Sequence, residues 1–320
     1  MKNLAIGVDV GGSHVGTALL NQSGEIILQA ETSLDPTLEP SIIINDYIIP
    51  TIKKVMSGHE EQVAGIGLGL PGSLDIKTGL AIFLPNFGWR NIPVKQPLHD
   101  FFNLPVFILN DVNVAALGEW YWGKARGERN FILIAMGTGI GGGLVSDGRL
   151  LLGEDGSAGE IGHITVMPEN GPQCGCGSCG CLESIASGKA MAKRYAELER
   201  RVGVDLREDS LTTLDIYNQA KKGDPLALQV FAETGKYFGI GLAILVNVLN
   251  PHKIILGGRV AQAGEFFLPQ ARAEMKKRVK MIDSDRVEIC SAQFEESAGI
   301  MGAGVLTFLN LGLLPGSPLE

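Results

Sequence analysis

The sequence predicts an α/β protein of two lobes built on one plan, and three observations carry that expectation. The pattern strand, glycine turn, strand, polar turn, return occurs over residues 6–20 and again over residues 134–150. Short apolar runs bounded by Gly, Pro and Asn alternate with longer stretches of helical spacing. A chain of 320 residues also has core enough for two domains of ordinary size. The repetition suggests that each lobe presents a glycine turn to a shared cleft, with a coincidence of two Gly-rich hairpins as the alternative.

Hydrophobic residues at 45% and charged residues at 19% describe a globular chain, not a disordered one. Lys plus Arg at 27 against Asp plus Glu at 35 gives a net charge of -8, and no basic block is read in the sequence. Nucleic acid and anionic membrane are therefore disfavoured as partners. Residues 4–10 are broken by Gly7 and Asp9 and make a poor signal peptide, while the longest apolar run, 239–249, is too short to cross a bilayer. A cytoplasmic location is expected, where clustered cysteines bind metal more often than they pair.

In chain order, residues 4–10, 14–21 and 25–31 read as three short strands, with tight turns at Gly11-Gly12 and Gln22-Ser23-Gly24. The first turn carries Asp9, Gly11, Gly12 and Ser13. Its glycines let backbone N–H groups approach an anion, and Asp9 can meet a metal ion or its waters, although an ordinary hairpin would look the same. Residues 40–56 have helical spacing, with Pro50 expected to kink or divide the helix. A glycine-rich strand over 63–70 closes at Pro71-Gly72, and the turn Lys77-Thr78-Gly79 leads to residues 84–90. That stretch, with Asn86 between Pro85 and Phe87 and with Trp89 beyond, has no period and reads as a loop. It can line a small-molecule pocket or simply be pinned to the surface by its tryptophan.

A buried strand over 105–109 stops at Asn110-Asp111, one of which caps the helix over 112–122. An Asp there is usually only a cap, but ligands gather where parallel strands end and helices begin. The second hairpin, 131–144, turns at Gly137-Thr138-Gly139 and is followed by Glu160, Gly162 and His163. An amphipathic helix over 182–202, a polar connection and a shorter helix over 211–222 come next. Asp224-Pro225 opens a helix that runs to Leu249, becomes apolar all round and stops at Asn250-Pro251. The strand 253–256 enters a third glycine turn, Gly257-Gly258, and the chain closes with a strand over 287–290 and a helix over 296–309 bearing Gly299, Gly302 and Gly304.

Four of the five cysteines, Cys174, Cys176, Cys179 and Cys181, crowd just before Glu183. Cys174, Cys176 and Cys181 with His163 make a Cys3His set suited to tetrahedral zinc, and the interleaved glycines allow the tight turns it needs. Cys179 leaves a second set open, four cysteines without His163, and disulfide pairing or free thiols are the other readings. A complete shell makes the ion structural, fixing Glu160, His163 and Glu183 relative to one another. Either glutamate alone would more often be a solvated surface carboxylate.

Taken together, Asp9 to Ser13, the strand end at Leu109-Asn110-Asp111, residues 137–143, Glu160 to His163 and the cluster from Cys174 to Glu183 resemble the sugar kinases of the ROK family (repressor, open reading frame, kinase). The motifs run in family order over nearly the whole chain, and the cysteines with their upstream His are the most specific of them. The resemblance implies the actin-like, hexokinase-type (ribonuclease H-like) fold. It implies a small lobe of residues 1–116 joined by 305–320, and a large lobe of residues 117–304 with the zinc loop and the adenosine side of the nucleotide site. ATP and Mg2+ would take part in the reaction and Zn2+ would be structural. Asp111 would be general base toward the 6-hydroxyl of a hexose, with Gly72, Asn86, Asn110, Glu160, His163 and Glu183 around the sugar. Asp9, Gly11, Gly12, Ser13, Gly137, Thr138, Gly139, Gly257 and Gly258 would serve the nucleotide. His163 would serve zinc and sugar together, leaving Cys179 spare.

Glucose is the favoured acceptor, ahead of N-acetylglucosamine or N-acetylmannosamine and then fructose or allose, with polyphosphate in place of ATP left open. A homodimer or homotetramer is implied. His14 departs from the Lys or Asn of many members, and Arg259 from a frequent Gly. The family also holds repressors, which carry a helix-turn-helix ahead of the kinase-like region, whereas this chain opens at the first strand. A catalytically silent sugar binder is disfavoured by Asp111 and the three glycine turns.

Overall fold

The computed structural model describes residues 2–204 and 211–316. Part of the polar connection after residue 202, and the last residues of the predicted segment 305–320, lie outside the described residues. The chain forms two compact units, one of Met1–Glu128, Arg149–Ala158 and Ala292–Glu320, the other of Arg129–Gly148 and Gly159–Ser291.

In the first unit Leu4–Val10 pairs antiparallel with His14–Asn21 and parallel with Val63–Leu70. Ile26–Ser33 extends the sheet beside His14–Asn21, and Val106–Asn110 extends it in parallel beside Val63–Leu70. Every residue of Val63–Leu70 is buried, as befits a strand covered on both faces. One face takes the terminal helix Ala298–Asn310, which approaches so closely that a Cβ on Gly7 would fall 2.2 Å from the Ile300 carbonyl oxygen. The other packs against Ile43, Ile44, Ile48, Ile52 and Val55.

Those isoleucines come from the predicted helix 40–56, which Pro50 does divide. The chain runs as Pro40–Ile42, a π-helical turn Ile43–Ile48, then Ile49–Met56. Proline has no N–H to give and its ring crowds the carbonyl four residues back, so a wider turn precedes it. The predicted loop 84–90 is narrower, residues 85–88, and it is the turn of a hairpin. Leu80–Leu84 pairs antiparallel with Trp89–Pro93, and Trp89 lies buried opposite Leu84. Strands of five residues, separated by a turn holding Pro85 and Gly88, leave too little alternation to read. The helix Lys95–Phe102 also went unread.

In the second unit Phe131–Met136 pairs antiparallel with Ile140–Ser146 and parallel with Lys253–Gly257, which pairs in parallel with Glu288–Ser291. The long helix Pro225–Leu249 starts and stops where its sequence signals predict, with Asp224 Oδ1 accepting from Ala227 N and Asn250 in the left-handed region. A helix the sequence reading omitted, Gly264–Arg278, packs against it. Pro269 inside that helix disguised it.

The predicted helix 182–202 is two helices, Glu183–Ala186 and Gly188–Arg201. Ser187 breaks the run by taking extended backbone and capping the second helix, its Oγ accepting from Ala190 N at 3.2 Å. The absence of a basic block also needs correction. Lys276, Lys277 and Arg278 close the helix Gly264–Arg278 and Lys280 follows it, with Lys276 paired to Asp285 and with Lys277 and Arg278 paired to Glu274. Cations there also suit the helix C-terminus. Among the described residues no helix is long and apolar enough to cross a membrane.

Candidate active site and metal cluster

In the first unit two acids converge at the ends of parallel strands. Asn110 is the N-cap of the helix Asp111–Tyr121, its Oδ1 accepting from Val112 N (3.0 Å) and Asn113 N (3.3 Å), while its Nδ2 donates to the Gly72 carbonyl (3.3 Å). Asp111 is thus the first helical residue, not the cap, and its Oδ1 accepts from Val112 N at 2.9 Å. Gly69 forms the floor between the acids: a Cβ there would lie 3.5 Å from Asp111 Cα and 3.6 Å from Asp9 Oδ1. Asp9 also abuts the first turn of the terminal helix, where a Cβ on Gly299 would lie 2.5 Å from its Cγ.

Burial, and then the charge of Asp111, push the Asp9 carboxyl up to about 7. A buried carboxyl beside a second acid favours a bound cation. The adjoining turn is closed by Gly11 N donating to the His14 carbonyl at 2.9 Å. It also lies beside the loop asparagine, since a Cβ on Gly12 would be 3.8 Å from Asn86 Cβ and Nδ2. Asp9, Gly11, Gly12, Asn86, Asn110, Asp111 and Gly72 are therefore linked neighbours within one unit, with Ser13 in the same turn.

In the second unit the turn Gly137-Thr138-Gly139 is braced from two sides. Glu183 Oε2 accepts from Ile140 N at 2.9 Å, and a Cβ on Gly139 would fall 2.4 Å from that oxygen. Gly188 N donates to the Gly137 carbonyl at 2.8 Å, a contact made by the break at Ser187. Gly258 adopts φ +84°, and a Cβ there would strike the Met136 carbonyl at 2.4 Å, so the third glycine turn sits directly on the strand that enters the second.

The sulfurs of Cys174, Cys176 and Cys181 and one ring nitrogen of His163 lie within 4.8 Å of one another. His163 Nδ1 is 3.7 Å from Cys174 Sγ, and Cys176 Sγ is 3.8 Å from Cys181 Sγ. A tetrahedron with metal–sulfur bonds of about 2.3 Å has edges of about 3.8 Å, so this donor set fits zinc. Cys179 stands outside it, its Sγ bonded to Gln173 Oε1 at 3.3 Å. On the other side of the His163 ring, Nε2 faces Glu160 Oε2 at 3.8 Å. That separation is too long for a hydrogen bond, so the carboxylate is a charged neighbour of the ring.

Sequence reasoning missed three supports. Glu119 is fully buried and accepts from Lys124 N, Gln293 N and Phe294 N, tying the helix after Asp111 to the segment before the terminal helix. Gly69 and Gly188 shape the two turn regions through contacts distant in sequence, and only the apolar setting of Glu119 hinted at its burial.

The ROK family profile matches residues 5–308. A glucokinase of Halalkalibacterium halodurans is 38% identical over 310 residues, covering 94% of each chain. A xylose repressor of Caldicellulosiruptor bescii is 31% identical and covers 93% of this chain and 76% of that protein. Among solved structures, a ROK family glucokinase from Streptomyces griseus in complex with glucose and AMPPNP has 32% identity and a TM-score of 0.80, covering 95% of this chain and 98% of its own. Kinases and repressors thus share this architecture, so activity has to be argued from the site. The chain belongs to the ROK family, and its fold is the expected actin-like, hexokinase-type α/β fold.

Proposed function

We propose that this protein is an ATP-dependent hexose kinase whose acceptor is the 6-hydroxyl of glucose. The observation that carries the reading is the Asp9–Asp111 pair at the strand ends beside a glycine turn, in a chain 38% identical to a glucokinase. Phosphoryl transfer asks mainly for positioning and for neutralisation of phosphate charge. In this reading Asp111 accepts the proton of the 6-hydroxyl as its oxygen attacks the terminal phosphorus and ADP leaves. Gly72, Asn86, Asn110, Glu160, His163 and Glu183 hold the remaining sugar hydroxyls. The turns at Gly11, Gly12 and Ser13, at Gly137, Thr138 and Gly139, and at Gly257 and Gly258 receive the nucleotide, the amides of Gly11 and Gly137 closing their own turns on the His14 and Gly139 carbonyls. Mg2+ neutralises the phosphates when bound, and Asp9 would hold it directly or through water.

Zn2+ on His163, Cys174, Cys176 and Cys181 would be structural, since four protein donors leave no open position. It would keep Glu160 and His163 in place for the sugar. The smaller lobe is read as residues 1–116 with 305–320 and the larger as 117–304, bounds that differ from those of the compact units, which keep the helices Asp111–Tyr121 and Ala298–Asn310 whole in the first. A cytoplasmic homodimer or homotetramer that feeds glucose into glycolysis completes the proposal.

The test is ADP release with Mg2+ across glucose, N-acetylglucosamine, N-acetylmannosamine, fructose and allose, with a parallel arm in which polyphosphate replaces ATP. Glucose is expected to give the highest kcat/KM. Saturable sugar binding without ADP release from any sugar would instead favour a sugar-sensing regulator, the reading that kinship with xylose repressors supports.

A further inference from the structure

One side chain at the first glycine turn has no part in the chemistry described so far. His14 opens the strand His14–Asn21, and its ring lies over Gly11. A Cβ built on Gly11 would fall 2.9 Å from Cε1, 3.2 Å from Nδ1 and 3.5 Å from Nε2. Nearly equal distances to three ring atoms mean that the imidazole lies across the glycine, with its face or edge covering the place a side chain would take. Only a residue without a Cβ leaves room for it.

The strand register fixes the side on which the ring lies. Asp9 pairs with Gly16 and Val10 with Val15, so by alternation Asp9, Gly11, His14 and Gly16 point to one face of the sheet. That face receives the first turn of the terminal helix, where Gly16 approaches the Ile300 side chain and Gly299 approaches Asp9. His14 therefore stands on the same side as the carboxylate, two residues further along the hairpin, or about 7 Å by strand rise.

Hydrogen bonding orients the ring as well. Ser13 Oγ is 3.4 Å from His14 Nδ1. In the tautomer that accepts the Ser13 hydroxyl at Nδ1, the ring N–H is on Nε2, the nitrogen across the ring from Ser13. A carboxylate that attracts a cation, a turn rich in backbone N–H groups and an imidazole N–H thus follow one another along one hairpin.

We propose that His14 is a nucleotide-phosphate ligand: its Nε2–H donates to a phosphate oxygen seated over the turn at residues 11–13, and it contributes to MgATP binding without touching the sugar. The inference deepens the reading of this turn as a phosphate cradle and rests on it. It also gives Gly11 a second task, keeping open the space into which His14 folds.

Equilibrium titration of the full chain with MgAMPPNP, adenosine and glucose tests the assignment, using the wild type, His14→Ala and His14→Gln. Loss of one hydrogen bond to a charged oxygen should weaken MgAMPPNP about tenfold in His14→Ala, with adenosine and glucose affinities within about twofold of wild type. His14→Gln keeps an N–H donor of similar reach and should recover most of the loss. Gly11→Ala, which displaces the ring, should add little to His14→Ala because the two changes act on one contact. Unchanged MgAMPPNP affinity in His14→Ala would overturn the proposal. So would an equal loss for adenosine, which marks a general disturbance of the turn. The kinase reading fails separately: a wild type that binds MgAMPPNP but phosphorylates no sugar sinks that reading alone, whereas glucose turnover with nucleotide affinity indifferent to His14 sinks only this one.

Discussion

The hairpins Leu4–Val10/His14–Asn21 and Phe131–Met136/Ile140–Ser146 share a plan and differ in what holds their turns. Each pairs its first strand antiparallel with its second and parallel with a later strand, which is itself followed by a further parallel neighbour. The first leaves residues 11–14 between its last paired residues, Val10 and Val15, and carries an acid, Asp9, opposite Gly16. The second leaves residues 137–139 between Met136 and Ile140, with Ala135 opposite Gly141. Where one hairpin brings its own carboxylate, the other accepts a carboxylate from Glu183, far along the chain. One backbone device can therefore end in a turn beside its own acid or in a turn braced by a distant one, depending on which side chains reach it.

The sharpest way to break that contrast is Asp111→Asn. If the first hairpin region carries the chemistry, turnover should drop by about 100- to 10,000-fold while equilibrium glucose binding survives. Near-normal turnover would move the chemistry elsewhere. Next in size is the Cys3His donor set, found among the described residues in the second unit alone. Cys181→Ser, or removal of the ion by a chelator, should lower the melting temperature and raise KM for glucose about 10- to 100-fold. Retention of a full metal equivalent by the variant would refute the Cys3His assignment.

A smaller effect is expected where Glu183 braces the second turn. Glu183→Ala leaves Ile140 N without its acceptor, and a cost of about 1–3 kcal/mol in turn order should appear as a higher KM for MgATP as well as for sugar. An effect on sugar alone would deny the bracing role. Smallest of all is Cys179→Ser. With its thiol on Gln173 outside the cluster, stability should change by no more than about 0.5 kcal/mol and metal content not at all. Zinc loss in that variant would restore the four-cysteine alternative.

Legibility followed locality. The helix Pro225–Leu249 could be read because its start and stop signals adjoin it in sequence. The strand ends, the glycine turns and the cysteine run were visible for the same reason. The hairpin Leu80–Leu84/Trp89–Pro93 and the helix Gly264–Arg278 were missed because Pro and Gly blur a short period, and packing against a neighbour outweighs that local signal. The break at Ser187 could have been suspected from a Ser-Gly pair inside an amphipathic run.

By itself the sequence determined the α/β class, the elements whose start and stop signals adjoin them, the residue sets able to bear carboxylate, phosphate-binding and thiolate chemistry, and the family resemblance, since each is written in neighbouring residues. Only the tertiary structure decided that Asn110, not Asp111, caps its helix, that Cys179 stands apart from the sulfurs, that Glu183 supports a turn, and that Asp9 lies against Asp111 and the terminal helix. Those outcomes depend on which backbone groups and charges are brought together from distant positions, and local propensity carries no information about a partner that arrives only on folding.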